Sequence, residues 1–271
     1  MKKILILGKD GMLGSQVLKY FKLTPDISVT GISFRFIEKP IEYRDMLERY
    51  FISYDFVINC IGAIPQKTND YSINYSLPEA LVSLCRDTNT EIIHPSTDCE
   101  FKGTLPVGEL YSVTDYPDST TEYGLSKILG SNIILESGIG KVIRTSIIGL
   151  SPNSYRGKGL LNWFRGQEGN VFGYTNHHWN GVTTLEWAIA IHHLIENYDK
   201  YPDLIQLGSK PLTKAGLLSI FRRVYERKNP ITLIEADEYS NKCLKSNFDY
   251  PNKKLSIEDQ LMDFKLFNSC I

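Results

Sequence analysis

Short apolar runs alternate with helical patterns through the first 150 residues of the chain. The first run covers residues 3–7, ends at glycines, and is followed by helical spacing over residues 15–21. Later apolar runs predict strands at residues 28–34, 56–61, 91–94 and 141–144, and helical patterns lie at residues 77–86 and 126–135. Because strands that alternate with helices are typical of parallel sheets, we predict an α/β fold with a doubly wound parallel sheet.

The pattern changes after about residue 149. Residues 151–173 are rich in Gly, Asn and Arg, and they predict a loop with a short helix at residues 160–164. Predicted helices follow at residues 185–198, 214–225 and 256–267, with a further strand at residues 204–207. We therefore predict a main domain over residues 1–150, joined by residues 182–208, and a smaller lobe over residues 151–271.

The composition restricts the partners of the protein more than its fold. With 30 basic and 31 acidic side chains the formal net charge is −1, so no global field attracts nucleic acid or anionic lipid. No apolar stretch reaches the length of a membrane span. The five cysteines have no paired or metal-like spacing. We predict a cytoplasmic protein with reduced thiols and no metal site. The adjacent His177 and His178 fit this prediction, because neighbouring residues do not easily converge on one metal ion.

Three glycines follow the first predicted strand, as Gly8-x-x-Gly11-x-x-Gly14. A strand, a glycine turn and a helix present free backbone N–H groups and the positive end of the helix dipole to a pyrophosphate. Gly8 permits the tight turn, Gly11 allows close backbone approach, and Gly14 lets the helix pack on the strand. We predict that a dinucleotide contacts Gly8, Gly11, Met12, Leu13 and Gly14, and also Ile61, Gly62 and Ala63 after a later strand.

The end of the second predicted strand bears on which dinucleotide binds. NAD-preferring sites usually place an acidic residue there for the ribose hydroxyl. This chain has no acid in residues 31–36 and instead has Arg35, whose guanidinium can pair with a 2′-phosphate. We therefore favour NADPH, while NADH stays open if Arg35 is a solvated loop residue.

Tyr123 and Lys127 lie four residues apart, so on a helix they share one face. An ammonium beside a phenol stabilises the phenolate, which predicts a lowered Tyr123 pKa and proton exchange with a carbonyl or alcohol. Thr97 follows the strand at residues 91–94, where its hydroxyl can hydrogen-bond a substrate carbonyl. Taken alone, each feature is also typical of an ordinary helix or strand end. Together with the glycine turn upstream, they predict a catalytic set of Thr97, Tyr123 and Lys127.

Four sequence elements together resemble the extended short-chain dehydrogenase/reductase superfamily, and within it the dTDP-4-dehydrorhamnose reductases and related sugar-nucleotide reductases. They are Gly8-x-x-Gly11-x-Leu13-Gly14, Ser96-Thr97-Asp98-x-x-Phe101-x-Gly103, Tyr123-Gly124-x-Ser126-Lys127 and Arg144-Thr145-Ser146. The glycines and Tyr-x-x-x-Lys specify only the superfamily, whereas the Ser-Thr-Asp element points to the reductase branch.

The resemblance implies a Rossmann-type domain with a small carboxy-terminal substrate-binding lobe. It also implies NAD(P)H-dependent reduction of a nucleotide-linked 4-keto-6-deoxy sugar, as in deoxysugar and surface polysaccharide biosynthesis. In this pattern Thr97 orients the sugar carbonyl and Asp98 contacts the substrate. Tyr123 is the proton donor, while Lys127 binds the nicotinamide ribose and tunes Tyr123.

Two positions depart from the family pattern. The reductases often have a tryptophan after Arg-Thr-Ser that packs on the sugar; here Ile147 offers no aromatic platform. Cys99 stands where the pattern usually has an aromatic residue. We predict substrate contact for Ile147 and for Trp179, although loop packing is the alternative for Trp179. Arg156 and Lys158 either pair with a diphosphate or are solvated loop charges.

Other functions stay open on the sequence alone. An epimerase on the same fold is one, and a non-catalytic nucleotide-binding regulatory subunit is another. Dehydration is disfavoured, because dehydratases of the superfamily commonly have Glu after the Asp, where this chain has Cys99. The predicted partners are a nucleotide-sugar substrate and a second copy of the chain in a homodimer.

Overall fold

The structure, a computed structural model, describes residues 1–33, 53–152 and 159–269. Its strands are β1 (Lys2–Leu7), β2 (Ile27–Ile32), β3 (Phe56–Asn59), β4 (Glu91–Ser96), β5 (Gly140–Arg144), β6 (Ile147–Ile148), β7 (Val171–Tyr174), β8 (His177–Trp179), β9 (Val182–Thr183), β10 (Leu204–Gln206), β11 (Leu212–Thr213), β12 (Ile231–Ile234) and β13 (Ser240–Asn241). Its helices are α1 (Met12–Lys22), α2 (Ile73–Cys85), α3 (Glu122–Ser137), α4 (Leu160–Arg165), α5 (Thr184–Glu196), α6 (Lys214–Val224) and α7 (Ile257–Ser269). The predictions for Arg35, Arg156 and Lys158 lie outside the described residues.

Six strands form a parallel sheet in the order β2-β1-β3-β4-β5-β10. The predicted α/β, Rossmann-type fold is confirmed. The chain leaves β1 towards β2 on one side, and β3 then pairs with β1 on the other side. In open parallel sheets such a reversal leaves a crevice at the carboxyl ends of the strands, where ligands bind. The fold therefore places the candidate site after β1 and β3.

The sheet is buried on both faces, which explains why its strands read as continuous apolar runs. Ile4 and Ile6 of β1 pack in a core with α1 and α5. Leu5 and Leu7 point to the opposite face and pack with α2 and α3. Successive strand residues alternate between faces, so β1 fills both layers at once. Because β1 is packed on both faces, the position of the glycine turn that follows it is fixed relative to the sheet.

The carboxy-terminal segments form a third core. Phe164 of α4, Phe221 of α6 and Phe264 of α7 meet in it, and all three are fully buried. Smaller sheets flank this core: β8 between β11 and β13, β7 with β12, and β6 with β9. Strand β10 pairs with β5, and α5 packs on α1, so both elements lie with the main sheet. The predicted division into two domains stays a prediction. None of the helices described is long and apolar enough to span a membrane.

Candidate functional site

A cavity of about 400 Å³ lies at the carboxyl edge of the sheet. One wall comes from the segments that follow β1, β3, β4 and β5, and the other comes from residues 159–161, Trp179 and Lys214. The residues predicted from sequence that line it are Gly11, Met12, Leu13, Ile61, Gly62, Thr97, Asp98, Tyr123, Lys127, Ile147 and Trp179. Gly8, Gly14 and Ala63 support the wall from behind it. The fold therefore brings residues from six separate stretches of sequence into one space.

The glycine turn after β1 has the geometry that its spacing predicts. Gly8 has φ +83°, a backbone conformation that L side chains rarely adopt. A Cβ on Gly14 would lie 2.2 Å from the Gly8 carbonyl oxygen, so only glycine lets α1 pack this closely. Gly11 precedes α1 without a side-chain cap, which leaves first-turn N–H groups free at the cavity. The turn therefore fits a pyrophosphate.

The segment after β3 is held in shape by Asn74 of α2. The Asn74 Oδ1 accepts from the Ala63 N–H at 2.8 Å, and its Nδ2 donates to the Ala63 carbonyl at 3.0 Å. Both backbone groups of Ala63 are therefore used inside the protein, and Ile61 and Gly62 carry this side of the cavity. Dinucleotide contact by Ala63 stays a prediction, with its side chain as the group that is free to make it.

Thr97 stands where β4 ends, and its side chain shapes the next turn. Its Oγ1 accepts from the Cys99 N–H at 3.2 Å and lies 3.1 Å from Asp98 Oδ1, to which it donates. Thr97 also interacts with the Tyr123 hydroxyl, and this interaction lowers the pKa of Tyr123. The structure thus places Thr97 and Tyr123 at the same cavity, and their catalytic roles stay a prediction. Two hydroxyls that meet at a cavity wall can together bind one carbonyl oxygen.

The start of α3 explains the residues around Tyr123. Thr121 caps the helix by accepting from the Gly124 N–H at 3.0 Å. A Cβ on Gly124 would lie 2.4 Å from the Cys99 carbonyl oxygen, so glycine lets the first turn press on the Thr97 loop. Ser126 Oγ donates to the Tyr123 carbonyl at 2.7 Å and accepts from Asn74 Nδ2 at 3.0 Å. Gly124 and Ser126 therefore place the phenol rather than react.

The lowered pKa expected for Tyr123 is wrong. Burial raises the pKa of the Tyr123 hydroxyl, and negative charge at Cys99 and Asp98 raises it further, while the hydrogen bond with Thr97 lowers it. Desolvation of the phenolate dominates because the ring lies in the protein wall. Tyr123 is therefore a neutral phenol at physiological pH. That is the form that can give a proton to an oxygen.

Lys127 does not direct its amino group at Tyr123. Its Nζ donates to the Pro95 carbonyl at 2.8 Å and lies 3.4 Å from His94 Nε2. Burial lowers the pKa of Lys127 to about 8, against the opposing effect of the Glu100 carboxylate. Lys127 is thus a buried amine close to its titration point, at the same cavity wall as Tyr123.

A buried ion pair supports the Thr97 turn from below. Arg144 of β5 donates from Nε to Glu100 Oε2 at 2.7 Å and from Nη1 to Gln206 Oε1 at 2.9 Å. Ser96 and Ser131 donate to the other oxygen of Glu100. The backbone carbonyl of Glu100 also accepts a hydrogen bond from the Ser119 N–H at 3.0 Å. The Arg-Thr-Ser element therefore holds the floor of the site.

The far wall contains a cation that no sequence pattern indicated. Lys214, the first residue of α6, lines the cavity, and its Nζ lies 5.6 Å from the centre of the Trp179 ring. Trp179 in turn donates from Nε1 to Ser146 Oγ at 2.8 Å, next to Ile147. Burial lowers the pKa of Lys214, while the charge of Asp98 raises it. The only local signal was Thr213, whose capping side chain starts the helix at Lys214.

Comparison with known proteins gives one curated relative and many solved structures. The chain is 26% identical over 160 residues to methionine adenosyltransferase 2 subunit beta of Bos taurus, covering 52% of this chain and 45% of that protein. The chain thus spans about half the length of the curated relative it matches. The dTDP-4-dehydrorhamnose reductase of Bacillus anthracis, solved with NADP, superimposes with a TM-score of 0.80 at 15% identity, covering 98% and 99% of the two chains.

Two further structures have similar scores. The dTDP-4-dehydrorhamnose reductase of Clostridium acetobutylicum has a TM-score of 0.75 at 16% identity, with 98% of this chain and 99% of that chain covered. The UDP-glucose 4-epimerase of Thermus thermophilus, in complex with NAD, has a TM-score of 0.74 at 15% identity, with 99% and 100% covered. At these identities the structures establish the fold. The sequence model of the family described as RmlD substrate binding domain matches residues 1–158, more than half of the 271 residues, and the chain belongs to that family.

Proposed function

We propose that the protein is an NAD(P)H-dependent reductase of the keto group of a nucleotide-linked 4-keto-6-deoxy sugar. The observation that carries this proposal is a single cavity lined by Thr97, Tyr123 and Lys127 together with the glycine turn after β1. Membership of the RmlD substrate binding domain family supports it. So do the dTDP-4-dehydrorhamnose reductases among the structures of the same fold.

The dinucleotide would lie across the ends of β1 and β3. The free N–H groups at the start of α1 would bind its pyrophosphate, and Lys127 would hold the nicotinamide ribose. NADPH is favoured on the sequence of residues 31–36, and one reductase of this fold was solved with NADP. When bound, the reduced cofactor supplies a hydride to the carbonyl carbon of the sugar.

Tyr123 and Thr97 would complete the reduction at the carbonyl oxygen. Thr97 would turn its hydroxyl hydrogen from Asp98 Oδ1 to this oxygen and so hold the carbonyl carbon in place. As the C–H bond forms, the electron pair of the C=O bond moves to oxygen, and Tyr123 gives its phenolic proton there. The raised pKa of Tyr123 keeps that proton available at neutral pH. The product is the hydroxyl, and the phenolate is later reprotonated.

The sugar nucleotide would occupy the space between the sheet and the carboxy-terminal lobe. Asp98 offers a carboxylate to sugar hydroxyls, and Trp179 and Ile147 offer apolar surface. Lys214 is a cation for which the described part of the chain provides no hydrogen-bond acceptor. Such an ammonium suits an anionic oxygen of the substrate, and the nucleotide diphosphate supplies one.

The test is a panel of nucleotide-linked keto sugars, with loss of NADPH absorbance as the readout. We expect turnover of a 4-keto-6-deoxy sugar nucleotide. Tyr123→Phe should lower the rate by about 10²–10⁴-fold, the usual contribution of a general acid. Tyr116→Phe is the matched control, because Tyr116 is 88% exposed and is not among the residues that line the cavity. Wild-type rates in Tyr123→Phe would remove Tyr123 from the mechanism.

Two of the similar proteins each favour a different alternative function. The UDP-glucose 4-epimerase structure favours epimerisation, in which the cofactor is not consumed over the whole reaction. The curated relative is by name a subunit of another enzyme, which favours a regulatory role. Net oxidation of NADPH with a keto sugar would select the reductase. Co-purification with an unrelated enzyme, and no NADPH oxidation, would select the regulatory subunit.

We also propose that the protein forms a homodimer and lies in the cytoplasm. Leu125 and Leu129 are exposed on the outer face of α3 and are available for contact between copies. Light scattering after gel filtration measures the mass, and the monomer of 30.9 kDa is the outcome that contradicts the dimer.

A further inference from the structure

His94 is a buried histidine to which the proposed mechanism gives no part. It lies on β4 between Asn59 of β3 and Lys127 of α3, and only 1% of it is exposed. Asn59 Nδ2 is 3.2 Å from His94 Nδ1, and Lys127 Nζ is 3.4 Å from His94 Nε2. The imidazole therefore connects the centre of the sheet to the amino group at the cavity wall.

The orientation of the Asn59 amide determines which imidazole nitrogen carries the proton. Asn59 Oδ1 accepts from the Ile61 N–H at 3.0 Å, so the amide NH₂ is the group that faces His94. An NH₂ group donates and cannot accept. His94 Nδ1 must then be the acceptor, and in the neutral ring the proton is on Nε2. Burial and the charge of Lys127 both lower the pKa of His94, so the ring is neutral.

An Nε2–H group therefore points at Lys127. A neutral amine has a lone pair that can accept this hydrogen. An ammonium has no lone pair, so its N–H groups and the Nε2–H group would be two donors that face each other without an acceptor. The Pro95 carbonyl, 2.8 Å from Nζ, accepts from either form and so holds the amino group in place. The arrangement thus opposes the charged form of Lys127 beyond the effect of burial.

We propose that His94 is a positioning residue that acts through Lys127: its Nε2–H, fixed by Asn59, favours the neutral amine and thereby sets the pH range over which Lys127 changes charge. The geometry of the pair is independent of any substrate. Its consequence for catalysis rests on the proposed function, in which Lys127 binds the ribose and stands next to Tyr123 in the wall.

The other groups near Lys127 come from the turn after β4, from β5, from its own helix and from α2. In the described part of the chain, Glu100 on the turn after β4 favours the ammonium, although Arg144 of β5 is bonded to it. Tyr123 on the same helix is a neutral phenol. Helix α2 contributes Asn74, which does not titrate. His94 is therefore the group in direct contact whose replacement isolates the effect on Lys127.

The experiment follows the titration of Lys127 in the whole protein by NMR. The protein is labelled with ¹³Cε-lysine, and Lys127→Arg identifies the Lys127 signal by its loss. Two variants are compared with the wild type. His94→Asn keeps an acceptor for the Asn59 amide and removes the group that faces Lys127. His94→Gln places an amide oxygen near the former Nε2 position, where it can accept from an ammonium. His193→Gln, on α5, is the control.

We expect wild-type Lys127 to titrate at or below about pH 8, because His94 adds to the effect of burial, and both His94 variants to titrate about 1 pH unit higher than the wild type, with His94→Gln the higher of the two. A wild-type midpoint near the usual value for lysine, or midpoints in both variants within about 0.3 of the wild type, would overturn the proposal. Thermal melting shows whether each variant is folded, and a loss of packing alone would not move the midpoint in this order. The titration needs no substrate, so a failed sugar panel with shifted midpoints would contradict only the proposed reaction.

Discussion

Arg144 gives the sharpest test of how the site is built. Its guanidinium is almost fully buried and forms a forked ion pair with Glu100, with Nε at 2.7 Å and Nη2 at 2.5 Å from the same carboxylate oxygen. Glu100 has no exposed surface. Arg144→Met keeps most of the side-chain volume and removes the charge. Glu100 would then remain as a buried carboxylate whose side-chain donors, among the described residues, are the hydroxyls of Ser96 and Ser131.

The expected loss of stability is large because the remaining charge cannot reach water. Removing one partner of a buried ion pair costs about 3–5 kcal/mol of unfolding free energy. For a chain of this size that corresponds to a melting temperature lower by roughly 6–20 °C. The double variant Glu100→Gln with Arg144→Met removes the stranded charge as well. It should therefore recover at least about 1 kcal/mol relative to Arg144→Met alone.

The measurement is urea unfolding followed by circular dichroism, with thermal melting beside it. A matched control lies on the same strand: Lys141 of β5 pairs with Asp203 at 2.9 Å, and the Asp203 side chain is 60% exposed. Asp203→Asn should cost less than about 1 kcal/mol, because Asp203 is exposed and the buried Lys141 keeps its hydrogen bond to the Tyr201 carbonyl at 2.8 Å. If Arg144→Met costs no more than Asp203→Asn, the idea that this pair supports the Thr97 turn fails.

Three further predictions concern the turn, the titration and the substrate wall. Gly14→Ala should destabilise the fold by about 1–3 kcal/mol and weaken NADPH binding in a fluorescence titration, whereas Gly169→Ala, with open space around it, should change stability by less than about 0.5 kcal/mol. Because burial lowers the pKa of Lys127 to about 8, its ammonium is lost as the pH rises through 8, and kcat/KM should fall there. The unfolding free energy should rise between about pH 8 and 10, because Lys127 is still protonated in the unfolded chain over that range. A flat activity profile to pH 10 would contradict that role. Lys214→Met should raise KM for the nucleotide sugar roughly 10–100-fold with a smaller change in kcat, and Lys210→Met, an exposed control, should leave KM unchanged.

Much of the fold could be predicted because the main sheet is buried on both faces. Apolar runs with short helices between them have few other arrangements, and the carboxyl ends of parallel strands always meet at one edge. The glycine turn was predictable for a local reason: positive φ at Gly8 and the close approach at Gly14 both require the absence of a Cβ. Strand order and neighbouring contacts then brought Thr97 and Tyr123 together as expected.

What the sequence could not predict depends on contacts between distant segments. The pKa of Tyr123 was expected to fall because Lys127 is four residues away, but burial raises it and Lys127 turns towards Pro95. Spacing along a helix gives the face of a side chain and says nothing of its desolvation. Lys214 is 91 positions from Tyr123 in the sequence and reaches the cavity only through the packing of the third core. No local pattern carries that information.

The Ser-Thr-Asp-x-x-Phe-x-Gly element contains both residues that stabilise the site and residues that line the cavity. Phe101 stacks on Tyr111 at 4.1 Å between ring centres and lies under the Arg144 guanidinium at 4.9 Å, while Gly103 has φ +88°. Phe101 and Gly103 shape the turn, while Ser96, Thr97, Asp98 and Cys99 line the cavity. A chain can therefore keep most of this element for stability while its substrate wall changes. Ile147, in place of the tryptophan of the reductase pattern, lies on that wall, so we expect the chain to keep the chemistry of ketone reduction and to differ from the dTDP-4-dehydrorhamnose reductases in the sugar it accepts.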